Sequence, residues 1–126
     1  MVRKAFTAPN VSSSGPYSHA IDAGDFYYFS GQTAKNAVQV TEDNREIAAQ
    51  TEKCFENIQY VMNEVGVTMD DVVKVNVYLT GMKYFAEMNA VYETKFAKPF
   101  PARTCVAVYE LPLGADVEIE VIVKKP

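Results

Sequence analysis

Arg103 stands just after the Pro99-Phe100-Pro101 segment and opens a strand, so a rigid base could aim its planar guanidinium at a carboxylate. A lone arginine is more often found in a surface or intersubunit ion pair. Cys105, two residues on, falls on the same strand face. In a sheet such a thiol is more often a small buried hydrophobe than a nucleophile, with His19 the one imidazole in the chain. In the last strand Glu118 and Glu120 share one face while Val117, Ile119, Val121 and Val123 share the other. One of these carboxylates could orient a water; more often such a pair forms a solvated outer face or discourages edge pairing. Asn89 falls beside an apolar helical stripe, where an amide needs partners. Tyr17 offers a phenol or an aromatic packing surface, and Ser30-Gly31-Gln32 ends a strand with backbone open enough for a small ligand, or simply turns.

Positioning these groups requires strands at both ends and helices between. Asp25 to Ser30 is aromatic enough for a strand, and Asp22-Ala23-Gly24 reads as the turn of a hairpin with residues 17–21. From Asn44 to Val65 the positions Ile47, Thr51, Cys54, Phe55, Ile58, Val61, Met62 and Val65 repeat at helical spacing. Asp43 and Glu46 resemble a capping box there, and Gly66 a C-cap. Val73, Val75, Val77 and Leu79 then alternate with polar neighbours as a strand with one buried face. Phe85, Met88, Tyr92 and Phe96 form the core stripe of a second helix that stops before Pro99. Two further strands, 103–110 and 116–124, are joined by a Leu-Pro-Leu-Gly turn. This order is too irregular for a doubly wound sheet and predicts an α+β fold, with two helices covering one face of a mixed sheet. The other face would carry Tyr78, Cys105 and Tyr109, which calls for a second copy to cover it.

Composition narrows the field. The 126 residues, 48% of them hydrophobic, suffice for one domain spanning 1–126. Twelve basic against sixteen acidic side chains give a net charge of −4, which does not favour a phosphate backbone as partner. Cys54 and Cys105 are too few for a disulfide framework. A single histidine and the absence of Gly-rich phosphate loops argue against a metal site and nucleotide cofactors. The first residues lack the apolar core of a signal peptide, and no stretch is apolar enough to span a membrane, so a cytoplasmic protein is expected.

Gly15-Pro16-Tyr17-Ser18, Ser30-Gly31-Gln32, Asn89-Ala90-Val91-Tyr92-Glu93, Phe100-Pro101-Ala102-Arg103-Thr104-Cys105-Val106 and Val117-Glu118-Ile119-Glu120, in this order, resemble the RidA (YjgF-like) family. The resemblance implies a chorismate-mutase-like fold and a homotrimer with the open sheet face inward and three clefts between subunits. It further implies hydrolysis, without cofactor or metal, of reactive enamines and imines to 2-oxo acids and ammonia. Substrates would be of the 2-aminoacrylate type, released from serine or threonine by pyridoxal-phosphate enzymes of amino-acid metabolism. By position, Arg103 would clamp the substrate carboxylate, and Glu118 with the Cys105 carbonyl would hold the attacking water. Tyr17, Ser30, Gly31 and Asn89 would line the pocket, with Glu120 structural. Two other readings attach to the same clefts: a sensor that binds 2-oxo acids without turnover, and an endoribonuclease or translation inhibitor, which net acidity disfavours. The chain departs from the family pattern at Thr33-Ala34-Lys35-Asn36 and at His19, where glutamine is common.

Overall fold

The computed structural model describes residues 3–34 and 46–126. Strand β1 (Lys4–Phe6) pairs antiparallel with β2 (Ala20–Asp22), which forms the expected hairpin with β3 (Phe26–Phe29). Its turn is closed by the Gly24 amide donating to Asp22 Oδ1 at 2.9 Å. Gly24 has φ 98°, a left-handed conformation that glycine adopts without the clash a Cβ would bring.

Helix α1 (Ile47–Val65) buries Ile47, Thr51, Cys54, Phe55, Ile58, Val61 and Met62, as their spacing requires. Gly66 ends it in the left-handed conformation, its amide donating to the Met62 carbonyl at 2.7 Å. The expected capping box is not formed through Glu46, because Glu46 is itself the extended N-cap residue and not a helical third position; Asp43 lies outside the described residues.

Strand β5 (Val72–Leu79) carries the expected alternation with one displacement. A bulge shifts its pairing with β7 (Val117–Lys124) from Val72↔Val123 to Lys74↔Ile122. The extra residue turns Val73 outward, 39% exposed, and Val72 takes the inward place assigned to it. Helix α2 (Phe85–Tyr92) is shorter than its apolar stripe: Phe96 lies beyond its end yet still packs on Phe55 and Tyr92, with ring centroids 5.8 and 5.0 Å away.

Among the described residues, seven strands form one sheet, ordered β1-β2-β3-β7-β5-β6, where β6 is Ala102–Ala107. β4 (Gln32–Thr33) continues the β3 side of β7 after a break at Ser30-Gly31. Only the β5–β6 pair is parallel. Both helices cover one face, against Val75, Val77, Leu79, Val117, Ile119, Val121 and Val123. Phe55 is fully buried in this core, where truncation to alanine costs about 3–5 kcal/mol.

The open face differs from expectation at one residue. Tyr78 lies there, but Cys105 does not: it pairs with Val77 and shares that residue's helix-covered side. Tyr109 lies beyond β6 and is 96% exposed.

Candidate active site

Pairing register places Arg103 beside Val75, on the helix side of the sheet's edge strand. There α2 meets it. Arg103 Nη1 donates to Asn89 Oδ1 at 2.6 Å, and the guanidinium carbon lies 4.6 Å from the Tyr92 ring centroid and 5.5 Å from that of Phe85. Two aromatic faces and an amide acceptor thus hold one end of a planar cation and leave other N–H groups to face a ligand. Asn89, Tyr92, Glu93, Phe100, Pro101 and Arg103 line an open cavity of about 390 Å³.

Glu118 is on the other side. It pairs with Tyr78 and Thr33, whose side chains point away from the helices. Here the cavity, about 350 Å³, is walled by the serine-rich N-terminal loop with Tyr17, by Ser30-Gly31, by Pro112-Leu113, and by Glu118 and Glu120. Desolvation, followed by repulsion from Glu120, raises the Glu118 carboxyl above the usual carboxylate range. Glu120 Oε1 accepts from Tyr78 Oη at 2.6 Å and Asn76 Nδ2 at 3.0 Å, and this pushes the Tyr78 phenol up to about 12. Glu120 is therefore tied into the sheet while Glu118 is left to the cavity.

Gly31 explains how close backbone and carboxylate come. A Cβ there would sit 3.0 Å from Glu118 Cδ and Oε1, so any larger residue pushes the carboxyl aside. Ser30 lines the cavity, but its hydroxyl already donates to the Ser18 carbonyl at 2.6 Å, which ties the strand end to the Tyr17 loop. The Cys105 thiol is half-buried and raised by that burial, partly offset by Arg103, which suits a packing group more than a nucleophile.

The seven site residues from the sequence thus form two groups within one chain. Tyr17, Ser30, Gly31 and Glu118 meet in one cavity; Asn89 and Arg103 meet in the other, with Cys105 next along the same strand face. Sequence reasoning missed Leu113, which lines the Glu118 cavity in a left-handed conformation (φ 59°) at a cost of about 1–2 kcal/mol. The Leu-Pro-Leu-Gly turn was the available signal. It also took Phe85 and Tyr92 as core alone, whereas both flank the guanidinium. Among the described residues no group of three or more His, Cys, Asp and Glu side chains could hold a metal ion, and no helix is long and apolar enough to cross a membrane.

Comparison with known proteins is consistent over the whole chain. Residues 7–125 match the model of the family described as Endoribonuclease L-PSP. The chain is 42% identical to Protein MMF1, mitochondrial, of Saccharomyces cerevisiae over 91% of this chain and 77% of that protein. It is 40% identical to the 2-iminobutanoate/2-iminopropanoate deaminase of Dermatophagoides farinae, over 86% of this chain and 85% of the other. The crystal structure of YyfA from Yersinia pestis, a conserved Rid family protein of unknown function, superposes with a TM-score of 0.89 at 35% identity, covering 98% of this chain and 100% of that one. Sequence and fold agree: this chain belongs to the RidA (YjgF-like, L-PSP) family.

Proposed function

We propose that the protein hydrolyses enamine and imine intermediates of the 2-aminoacrylate type to 2-oxo acids and ammonia, in clefts that two copies of the chain build together. The observation that carries this reading is the separation of Arg103 from Glu118 by the sheet: one chain holds a carboxylate clamp on one face and a carboxyl base on the other. A homotrimer that sets the Arg103 edge of one subunit against the Glu118 cavity of the next completes the site. Tyr17, Phe100 and Val106, each more than 40% exposed around these cavities and on strand β6, supply apolar surface for such contacts.

In the joined cleft Arg103 takes the substrate carboxylate in a bidentate pair, and Asn89 keeps the guanidinium oriented. Glu118, with the Cys105 carbonyl, holds a water. The enamine first gains a proton on its terminal carbon and gives one up from nitrogen to become the imine. Water oxygen then bonds to the imine carbon as Glu118 takes the water proton. That proton passes to nitrogen to give the carbinolamine, whose hydroxyl proton follows to nitrogen as the C–N bond breaks, so that ammonia leaves a 2-oxo acid. The raised Glu118 carboxyl suits proton exchange near neutrality better than an ordinary glutamate. Tyr17, Ser30 and Gly31 shape the pocket around the reacting carbon. No step calls for a cofactor or metal. The reaction fits the name of the mite relative, and a cytosolic setting is the reading we adopt, although the yeast relative's name is mitochondrial.

The test is 2-oxo acid release when the protein meets 2-aminoacrylate freshly generated from serine by a dehydratase. Acceleration that vanishes in Arg103→Ala supports hydrolysis. Pyruvate binding without acceleration, for serine- and threonine-derived substrates alike, turns the assignment to a 2-oxo acid sensor.

A further inference from the structure

His19 is fully buried beneath the loop that carries Tyr17, and both of its ring nitrogens are engaged. The Ala8 amide donates to Nδ1 at 2.9 Å. A backbone N–H cannot accept, so Nδ1 must be unprotonated and the single ring proton sits on Nε2, 2.9 Å from Ser13 Oγ. The imidazole thereby staples the loop at Ala8 and at Ser13. Between those points and the hairpin stand Ser12, Ser14 and Tyr17, three residues that wall the Glu118 cavity. Tyr17 is held twice over: its ring meets the imidazole edge-on at 6.4 Å, and its Oη accepts from the Ser14 amide at 3.2 Å. The His19 backbone is locked as well, its amide donating to the Phe6 carbonyl and its carbonyl accepting from the Ser30 amide.

We infer that His19 is a proton-sensitive positioning residue that keeps the Tyr17 wall of the cleft in place only while its ring is neutral. Protonation would put an N–H on Nδ1 facing the Ala8 N–H, donor against donor at a fully buried ring, so acid works against the stapled loop. Among the described residues that bond to or stack on the ring, Ala8, Ser13 and Tyr17, none is a carboxylate. On β1, Lys4 lies over the Phe6 ring; on β2, Asp22 is paired with Lys125; β3 brings Tyr27 and Tyr28. From α1, Tyr60 and Glu64 share a separate cavity with Ala8 and Asn10. Glu118 and Glu120 line the cavity that Tyr17 walls. The consequence for a ligand rests on the reading that this cavity is half of the cleft; the staple itself does not.

The chain has one histidine, so ring nitrogen NMR reads it without ambiguity. In the protein labelled with nitrogen-15, the proton is expected on Nε2 at about pH 8, and acid that protonates the ring is expected to move the Ala8, Ser14 and Tyr17 amide signals together with the ring nitrogens. A proton on Nδ1, a ring that titrates while those amides stay still, or a ring that remains neutral throughout would each overturn the inference. His19→Gln, which can accept and donate but not ionise, should hold the three amides fixed under the same acidification. It should also keep pyruvate affinity within about twofold, while His19→Ala loses about tenfold. Amides in His19→Gln that follow pH as in the wild type would place the sensor elsewhere. Because the amide signals need no substrate, they answer for His19 even where pyruvate fails to bind.

Discussion

The Arg103 and Glu118 regions use the same sheet in opposite ways. Arg103 sits on an outer strand and takes its aromatic and amide partners from the single short helix that precedes it in sequence. Glu118 sits on a central strand, and its cavity gathers residues from four separated stretches: 12–17, 30–33, 112–113 and 118–120. A cation can be presented from an edge with local support. A desolvated carboxylate with a neighbour of like charge needs walls from distant parts of the chain. In the proposed reaction each region alone supplies half of an acid–base and anion-binding apparatus.

The hardest test of that division removes one half. Arg103→Ala should lower kcat/KM for the imine on the order of a hundredfold or more, measured by 2-oxo acid release with the mass in solution checked against the wild type. Mixing then sharpens it. Arg103→Ala and Glu118→Gln chains, each inactive, should recover activity when refolded together, because an intact arginine from one chain meets an intact glutamate from another in roughly a quarter of clefts. Absence of any recovery would mean that both groups act from one chain. Within the Glu118 half, Gly31→Ala should cost about tenfold in kcat with little change in KM, since the added methyl displaces the carboxyl but not the carboxylate clamp.

Smaller effects follow from the raised Glu118 carboxyl. Activity should fall as acid protonates it, at a pH above the ordinary glutamate range. Its folded form is held high by desolvation, so ionisation costs stability at neutral pH and that cost disappears as pH drops through the raised value. Glu118→Gln should accordingly gain about 0.5–1 kcal/mol in chemical denaturation at pH 7. The least disturbing change is Tyr92→Phe. Its hydroxyl is buried with no hydrogen-bond partner among the described residues, so kcat/KM should stay within about twofold while the ring continues to flank Arg103.

How much of this the sequence disclosed follows the same division. Arg103, Asn89 and the proline-bounded start of β6 lie within a short span where helical spacing and proline chemistry act locally, so the elements that carry them were legible, while the bond between Arg103 and Asn89 was not. The faces of β7 were legible from alternation alone. Three features were hidden. The bulge that turns Val73 outward depends on β7, not on the β5 sequence. The position of Cys105 under the helices is fixed by a parallel pairing that no local pattern encodes. The joining of Leu113 and Tyr17 in one cavity spans almost a hundred positions of chain, and only packing brings them together. His19 stood out as unusual by type, yet its two bonds became visible only with the loop folded over it.

Strand β7 is paired along both edges, to β3 and β4 on one side and β5 on the other, whereas β6 is held by β5 alone. Local opening begins where the ladder has one neighbour, so amide exchange should be fastest along β6 and slowest through β7. Heat would then detach the arginine before it disturbs the glutamate. Inactivation would precede global melting, and a subunit caught in that frayed state would still offer an intact Glu118 cavity to its neighbour.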